Sequence, residues 1–123
     1  MELFRASEYI VKPNPQPGKR STEQLLEKKA QSLVGMSIVM PPKSETPYHF
    51  HNKRESIMVI LSGRGKELVE GRKVVIQAGD TLFIPAREKH GVVNDGDTEL
   101  RFIEFQVGNP AEPDRVEVEW KEA

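Results

Sequence analysis

The chain has 123 residues, with 18 Lys and Arg against 19 Asp and Glu, a net charge of −1 and no cysteine. That length suits one domain of about 100–200 residues. The charge balance excludes a basic nucleic-acid footprint, and the lack of cysteine excludes a disulfide framework, a thiolate metal site and a cysteine nucleophile.

Met1–Ile10 contains Glu2, Arg5 and Glu8 and lacks an apolar centre, so it does not read as a secretory signal, and the cytoplasm is the expected compartment. No apolar run approaches the ~18 residues that suggest a membrane span. Lys12–Arg20 reads KPNPQPGKR. Its prolines lack the amide N–H and fix φ, which predicts an extended arm or linker. Together with Leu3–Val11 this arm suits strand addition to a neighbour's sheet edge, so a homodimer is the expected assembly. Ser21–Leu33 follows, with Ser21 and Gln24 in capping-box spacing and Leu25, Leu26 and Leu33 among charged residues. The spacing predicts a short helix. Residues 1–34 are thus expected to form an arm and helix packed on a domain covering residues 35–123.

From Gly35 onward the pattern changes to short runs rich in Val, Ile and Phe. They are Met36–Met40, Tyr48–His51, Ser56–Leu61, Lys66–Glu70, Lys73–Ile76, Thr81–Ile84, Gly91–Val93 and Leu100–Val107. Gly and Pro punctuate them, and Glu70-Gly71-Arg72 and Asn94-Asp95-Gly96-Asp97 read as hairpin tips. Such spacing predicts an all-β sandwich or barrel. Arg115–Trp120 alternates valine with acids and reads as one more strand, at an edge.

The three histidines are His49, His51 and His90. His49 and His51 stand two apart in a strand, so both rings face the same way. Glu55 falls on that face if the strand runs on regularly. Imidazoles with a carboxylate suit a divalent cation such as Fe, Mn, Zn or Ni.

The segment His49-Phe50-His51-Asn52-Lys53-Arg54-Glu55 resembles the first cupin motif, H-x-H-x₃₋₄-E. Gly79–Asn94, GDTLFIPAREKHGVVN, resembles the second, with Gly79, Pro85, His90 and Asn94 in matching positions. The resemblance implies a small antiparallel β-barrel of jelly-roll type and one divalent metal ion held by His49, His51, Glu55 and His90. Two motif glycines are replaced, by Lys43 and Arg87. Gly63 lies one residue further beyond Glu55 than the pattern has it, and counting back from Gly63 puts the ligand slot on Ser56. A β-bulge or longer turn keeps Glu55 in the site, and that is the expectation.

The resemblance also implies that residues twelve and fourteen beyond His90, Phe102 and Glu104, face the barrel interior. Glu104 is then the candidate acid/base, and Phe102, Gln106 and the loop residue Arg87 are candidates for contacting substrate. Phe102–Gly108 is similar to the end of the cupin domain in mannose-6-phosphate isomerases fused to sugar nucleotidyltransferases. The expected function is a metalloenzyme acting on a small oxygenated or anionic molecule, of dioxygenase or isomerase/epimerase type. The competing expectation is a non-catalytic ligand-binding or sensor module. A small-molecule ligand is the expected partner in both, with neither nucleic acid nor membrane.

Overall fold

Along Leu100–Val107 every second residue is buried, namely Leu100, Phe102, Glu104 and Gln106. The same two-residue period runs through Ser56, Met58 and Ile60. Such alternation buries one face of a sheet and leaves the other to solvent. The computed structural model, which describes residues 1–5, 14, 16–26, 30–109 and 113–123, folds these runs into two antiparallel sheets.

The strands are β1 (Ser21–Gln24), β2 (Leu33–Met40), β3 (Ser44–Glu45), β4 (His49–His51), β5 (Glu55–Ser62), β6 (Arg64–Val69), β7 (Arg72–Gln77), β8 (Thr81–Ile84), β9 (His90–Asn94), β10 (Leu100–Val107) and β11 (Arg115–Glu117). One sheet has the order β1-β2-β10-β5-β8; the other runs β11-β4-β9-β6-β7, with β3 also paired to β9. The all-β barrel expected from the sequence is the observed architecture. Among the described residues no helix is long and apolar enough to cross a membrane.

The helix expected over Ser21–Leu33 is not formed. Ser21–Gln24 is a strand, paired antiparallel with Val39–Met36 of β2. A capping box is a local preference, whereas the exposed edge of β2 offers a row of backbone donors and acceptors. Filling that edge outweighs a weak helical propensity. Residues 27–29 of the expected helix lie outside the described residues, as does most of the Leu3–Val11 segment expected to add a strand to a neighbour.

Glu70-Gly71 is a hairpin tip: it joins the paired strands β6 and β7, and both residues have positive φ, 45° and 80°. Two consecutive left-handed residues match the twist of an antiparallel pair. Asn94–Asp97 is not a hairpin. It carries the chain from β9 in one sheet to β10 in the other. Asn94 is fully buried and holds this crossover: its Nδ2 donates to the carbonyls of Met40, Pro41 and Thr98 at 2.9–3.1 Å, and its Oδ1 accepts from Gly96 N–H.

Register sorts the interior into two ends. Phe102 pairs with Ile38 and Ile60, whereas Gln106 pairs with Val34 and Ser56. The end around Leu100, Phe102, Met40, Ile60, Ile76 and Val92 is closed and lined mainly by apolar side chains. Each large side chain buried there contributes about 1.5–3 kcal/mol. At Glu104 the inner face of β10 turns polar, and the site lies at that end.

Candidate metal centre

β4 presents His49 and His51 on its inner face with Phe50 between them, and His49 pairs with His90 at the start of β9. The pairing brings together residues some forty apart in sequence. All three histidines are buried, and a ring nitrogen from each lies within 4.8 Å of the others. Tyr48, facing away, packs edge-on against Trp120 with centroids 5.0 Å apart.

Backbone carbonyls set the ring tautomers. His49 Nδ1 is 2.6 Å from Pro47 O, and His90 Nδ1 is 2.9 Å from Glu88 O. A carbonyl oxygen only accepts, so each Nδ1 carries the proton and each Nε2 keeps its lone pair. His90 Nε2 is buried without a hydrogen-bond partner. His51 Nε2 lies 3.5 Å from the Gln106 amide, and its Nδ1 lies 3.7 Å from Asp114 Oδ2. Carbonyls behind the His49 and His90 rings, with lone pairs in front, are the usual outer-shell arrangement of metal-binding histidines, whereas the buried Nδ1 of His51 has no hydrogen-bond partner.

Burial above all, helped by the neighbouring imidazoles, pushes His49 down to about 3 and His51 to about 4. Both rings are therefore neutral at pH 7, the form that binds a cation. The donor set and the orphaned His90 nitrogen thus fit a first-row divalent ion.

Glu55 does not join the imidazoles. It is exposed, and Ser56 is the buried residue. The physical reason is the path of the chain: β4 and β5 belong to opposite sheets, so alternation counted from His51 does not carry through Asn52–Arg54. The phase of β5 comes instead from Ser56 pairing with Gln106 and Ile84. The register shift in this strand lies at its far end, opposite Arg101/Phe102, beyond the reach of the site.

Glu104 faces the interior and is buried. Burial raises its carboxyl above the ordinary value, opposed by His90, by hydrogen bonds with Gln106 and Ser56, and by Arg20. Gln106 lines the same cavity, and its Oε1 accepts from Arg54 Nη1 at 3.1 Å. The other two candidates lie elsewhere. Phe102 belongs to the closed apolar end. Arg87 is exposed and absent from the cavity wall; its backbone N–H donates to His51 O at 2.7 Å, with φ of 72°.

The cavity has a volume of about 870 Å³. Arg20, Thr22 and Gln24, on or beside β1, and Asp114 and Arg115, on or beside β11, line it without having been proposed as site residues from the sequence. Thr22 and Gln24 were hidden by the expected helix. Asp114 stands just before the alternating tail and Arg115 opens it, and that position was the available signal. Asp114 accepts from the backbone N–H of Lys53 and Arg54 at 2.9–3.2 Å, fixing the β4–β5 crossover. Burial raises its pKa, but these donors, with His51 and Arg54 nearby, prevail and hold the carboxyl below its ordinary value. Glu67 on β6 was also missed. It is 1% exposed, both carboxylate oxygens lack a hydrogen-bond partner, and burial raises its pKa well above the ordinary value.

A two-sheet antiparallel barrel with three imidazoles gathered inside its open end defines the structural class. The chain belongs to the cupin domain family, which residues 36–106 match. It is 33% identical over 82 residues to the oxalate-binding protein of Thermotoga maritima, a match covering 67% of this chain and 66% of that one. The chain spans less than two thirds of the length of the curated relatives it matches, from 66% down to 15%. A protein with a double-stranded β-helix domain from Klebsiella pneumoniae shares the fold, with a TM-score of 0.82 at 21% identity over 97% of this chain and 98% of that one. The polyketide cyclase RemF from Streptomyces resistomycificus superposes with a TM-score of 0.79 at 25% identity, covering 99% of this chain and 88% of that one.

Proposed function

We propose that the chain binds one divalent metal ion through His49, His51 and His90 and catalyses proton transfer in a small oxygenated or anionic molecule held in the adjoining cavity. The observation that carries the metal is the buried, partnerless Nε2 of His90, gathered in one cluster with the neutral imidazoles of His49 and His51. When bound, such an ion supplies Lewis-acid polarisation of a ligand oxygen.

Glu104 is the group suited to move a proton. Its raised pKa brings the carboxyl closer to neutrality, and Ser56 and Gln106 orient it beside the imidazoles. That favours isomerase- or epimerase-type chemistry over an oxygenase, which needs no such base. The second reading is a binding module without turnover; the name of the Thermotoga maritima relative, an oxalate-binding protein, favours it.

Elemental analysis of protein purified without an affinity tag or chelators is expected to give about one first-row metal per chain. The pair His49→Ala and His51→Ala is expected to abolish uptake. Stoichiometric metal retained by that double variant would refute the assignment. Glu104→Gln separates the two readings: loss of turnover with metal uptake intact supports the enzyme, whereas ligand binding without turnover in the unaltered protein supports the module.

A further inference from the structure

Three arginines, Arg20, Arg54 and Arg115, line the cavity, and two of them are engaged. Arg54 donates to Gln106 Oε1 at 3.1 Å and to Asn109 O at 2.8 Å. Arg115 pairs with Glu117. Arg20 differs. Among the described residues its guanidinium has neither a hydrogen-bond nor an ion-pair partner, although the residue is half-buried on the cavity wall.

The backbone holds Arg20 firmly in place. Pro17-Gly18 forms a turn with Gly18 at φ 77° and Lys19 N–H donating to Gln16 O, and Asn14 Nδ2 donates to Arg20 O at 2.8 Å. Immediately after, β1 docks on β2, so Arg20 directly precedes a paired strand. Burial and the like charge of Arg115 act against this cation and outweigh the attraction of Glu104 and Glu117. A planar fork of five donors, partly desolvated and beside another guanidinium, is an unfavourable arrangement until an oxyanion occupies it.

The opposing charges do not neutralise the wall. Asp114 accepts from the backbone N–H of Lys53 and Arg54, and Glu117 pairs with Arg115, so neither is committed to Arg20. The rest of the lining includes Leu26, Val34, Met36 and Ile38, so a ligand lying along it has an apolar or mixed body.

From this arrangement we infer that Arg20 is a specificity-determining residue for an organic anion whose oxygen-bearing head lies at the three imidazoles and whose second acidic group, a carboxylate or phosphate ester, docks on the free guanidinium with Arg115 beside it. The inference rests on the metal reading above for the head of the ligand, and on Arg20 alone for its tail. It selects diacids and phosphorylated acids over monoacids.

The test uses the full chain loaded with Co²⁺, whose visible spectrum reports ligands reaching the ion. 2-Hydroxyglutarate, 3-phosphoglycerate and 2-hydroxypentanoate share a hydroxy-acid head, and only the first two carry a second acidic group. The expected result is tighter binding of one of those two than of 2-hydroxypentanoate; which one identifies the tail as carboxylate or phosphate. Arg20→Gln is expected to weaken that ligand about tenfold or more while leaving Co²⁺ uptake and 2-hydroxypentanoate unchanged. Arg20→Lys, which keeps the charge and loses the fork, is expected to fall between the two and covers a folding defect in the first variant. Equal weakening of all three ligands, or of none, overturns the inference. If the unaltered protein takes up no Co²⁺, the metal reading has failed separately, and calorimetry of the metal-free chain with glutarate and inorganic phosphate decides the arginine: heat lost in Arg20→Gln supports it, and identical heats refute it.

Discussion

Replacing Glu67 with methionine is expected to stabilise the protein, although the side chain is 1% exposed and lies in the barrel interior. Both carboxylate oxygens lack a hydrogen-bond partner, and the inner neighbour across the β6–β9 pairing is Val92. An unsatisfied buried polar group costs about 1–3 kcal/mol, and methionine fills a similar volume without one. From a central cost of about 2 kcal/mol, imperfect repacking takes back up to about 1 kcal/mol, leaving a net gain of about 1–2 kcal/mol. For a chain of this size that is roughly 4–8 °C in Tm.

The gain depends on pH, with a definite sign. Burial raises the Glu67 pKa well above its ordinary value, so the folded state keeps a proton that the unfolded chain releases. The stability tied to that proton is fully present below the unfolded pKa of about 4.5 and is lost as pH rises through the folded pKa. Glu67→Met is free of that loss, so the gap between variant and parent widens from pH 4.5 to pH 8. Urea unfolding of the metal-free protein at both pH values measures it. A gap that does not change with pH, or a variant less stable at pH 8, would refute the reasoning. So would loss of metal uptake by the variant, which would show that Glu67 reaches the ion.

Two further outcomes follow from the same geometry. His49 and His51 have folded pKa values of about 3 and 4, against an ordinary value of about 6.5, so the stability of the metal-free protein is full above pH 6.5 and declines as pH falls toward those values. His49→Gln with His51→Gln is expected to flatten this decline, seen in urea midpoints between pH 7 and 4; an unchanged slope counts against buried neutral rings. Asn94→Ala leaves the carbonyls of Met40, Pro41 and Thr98 without their buried donor and is expected to lose about 2–4 kcal/mol in urea unfolding; a loss below 1 kcal/mol would show that this crossover holds without its side-chain clamp.

The strands β2 and β4–β10 were legible because short runs rich in Val, Ile and Phe end at turn residues, and β5 and β10 add a two-residue burial period. The hairpin at Glu70-Gly71 was legible for the same local reason. Two features were not. Ser21–Gln24 carries a helix-start pattern, and only the empty edge of β2, some fifteen residues on, makes it a strand. The choice between Glu55 and Ser56 turned on which neighbour sets the phase. Counting from His51 assumes one continuous strand, whereas the chain changes sheets at Asn52–Arg54, and the count from Gly63 reached the buried residue. Asn94–Asp97 shows the same limit. Its Asn, Asp and Gly signal a turn, but whether a turn joins partners or sheets depends on pairing elsewhere.

The histidine cluster and the cavity wall have different origins in the chain. His49, His51, His90, Glu104 and Gln106 all fall within the segment that matches the cupin domain family. Arg20, Thr22, Gln24, Asp114 and Arg115 fall outside it, on or beside β1 and β11, which sit at the ends of their sheets. An edge strand has one free side, so its residues can change without disturbing a pairing partner beyond it. The near full-length likeness to two solved structures, at TM-scores of 0.82 and 0.79, makes these flanks part of the fold rather than appendages. Chemistry at the imidazoles and selectivity at the rim are thereby separable. Exchanging residues 20–24 should alter which anion is held while leaving the metal affinity set by β4 and β9.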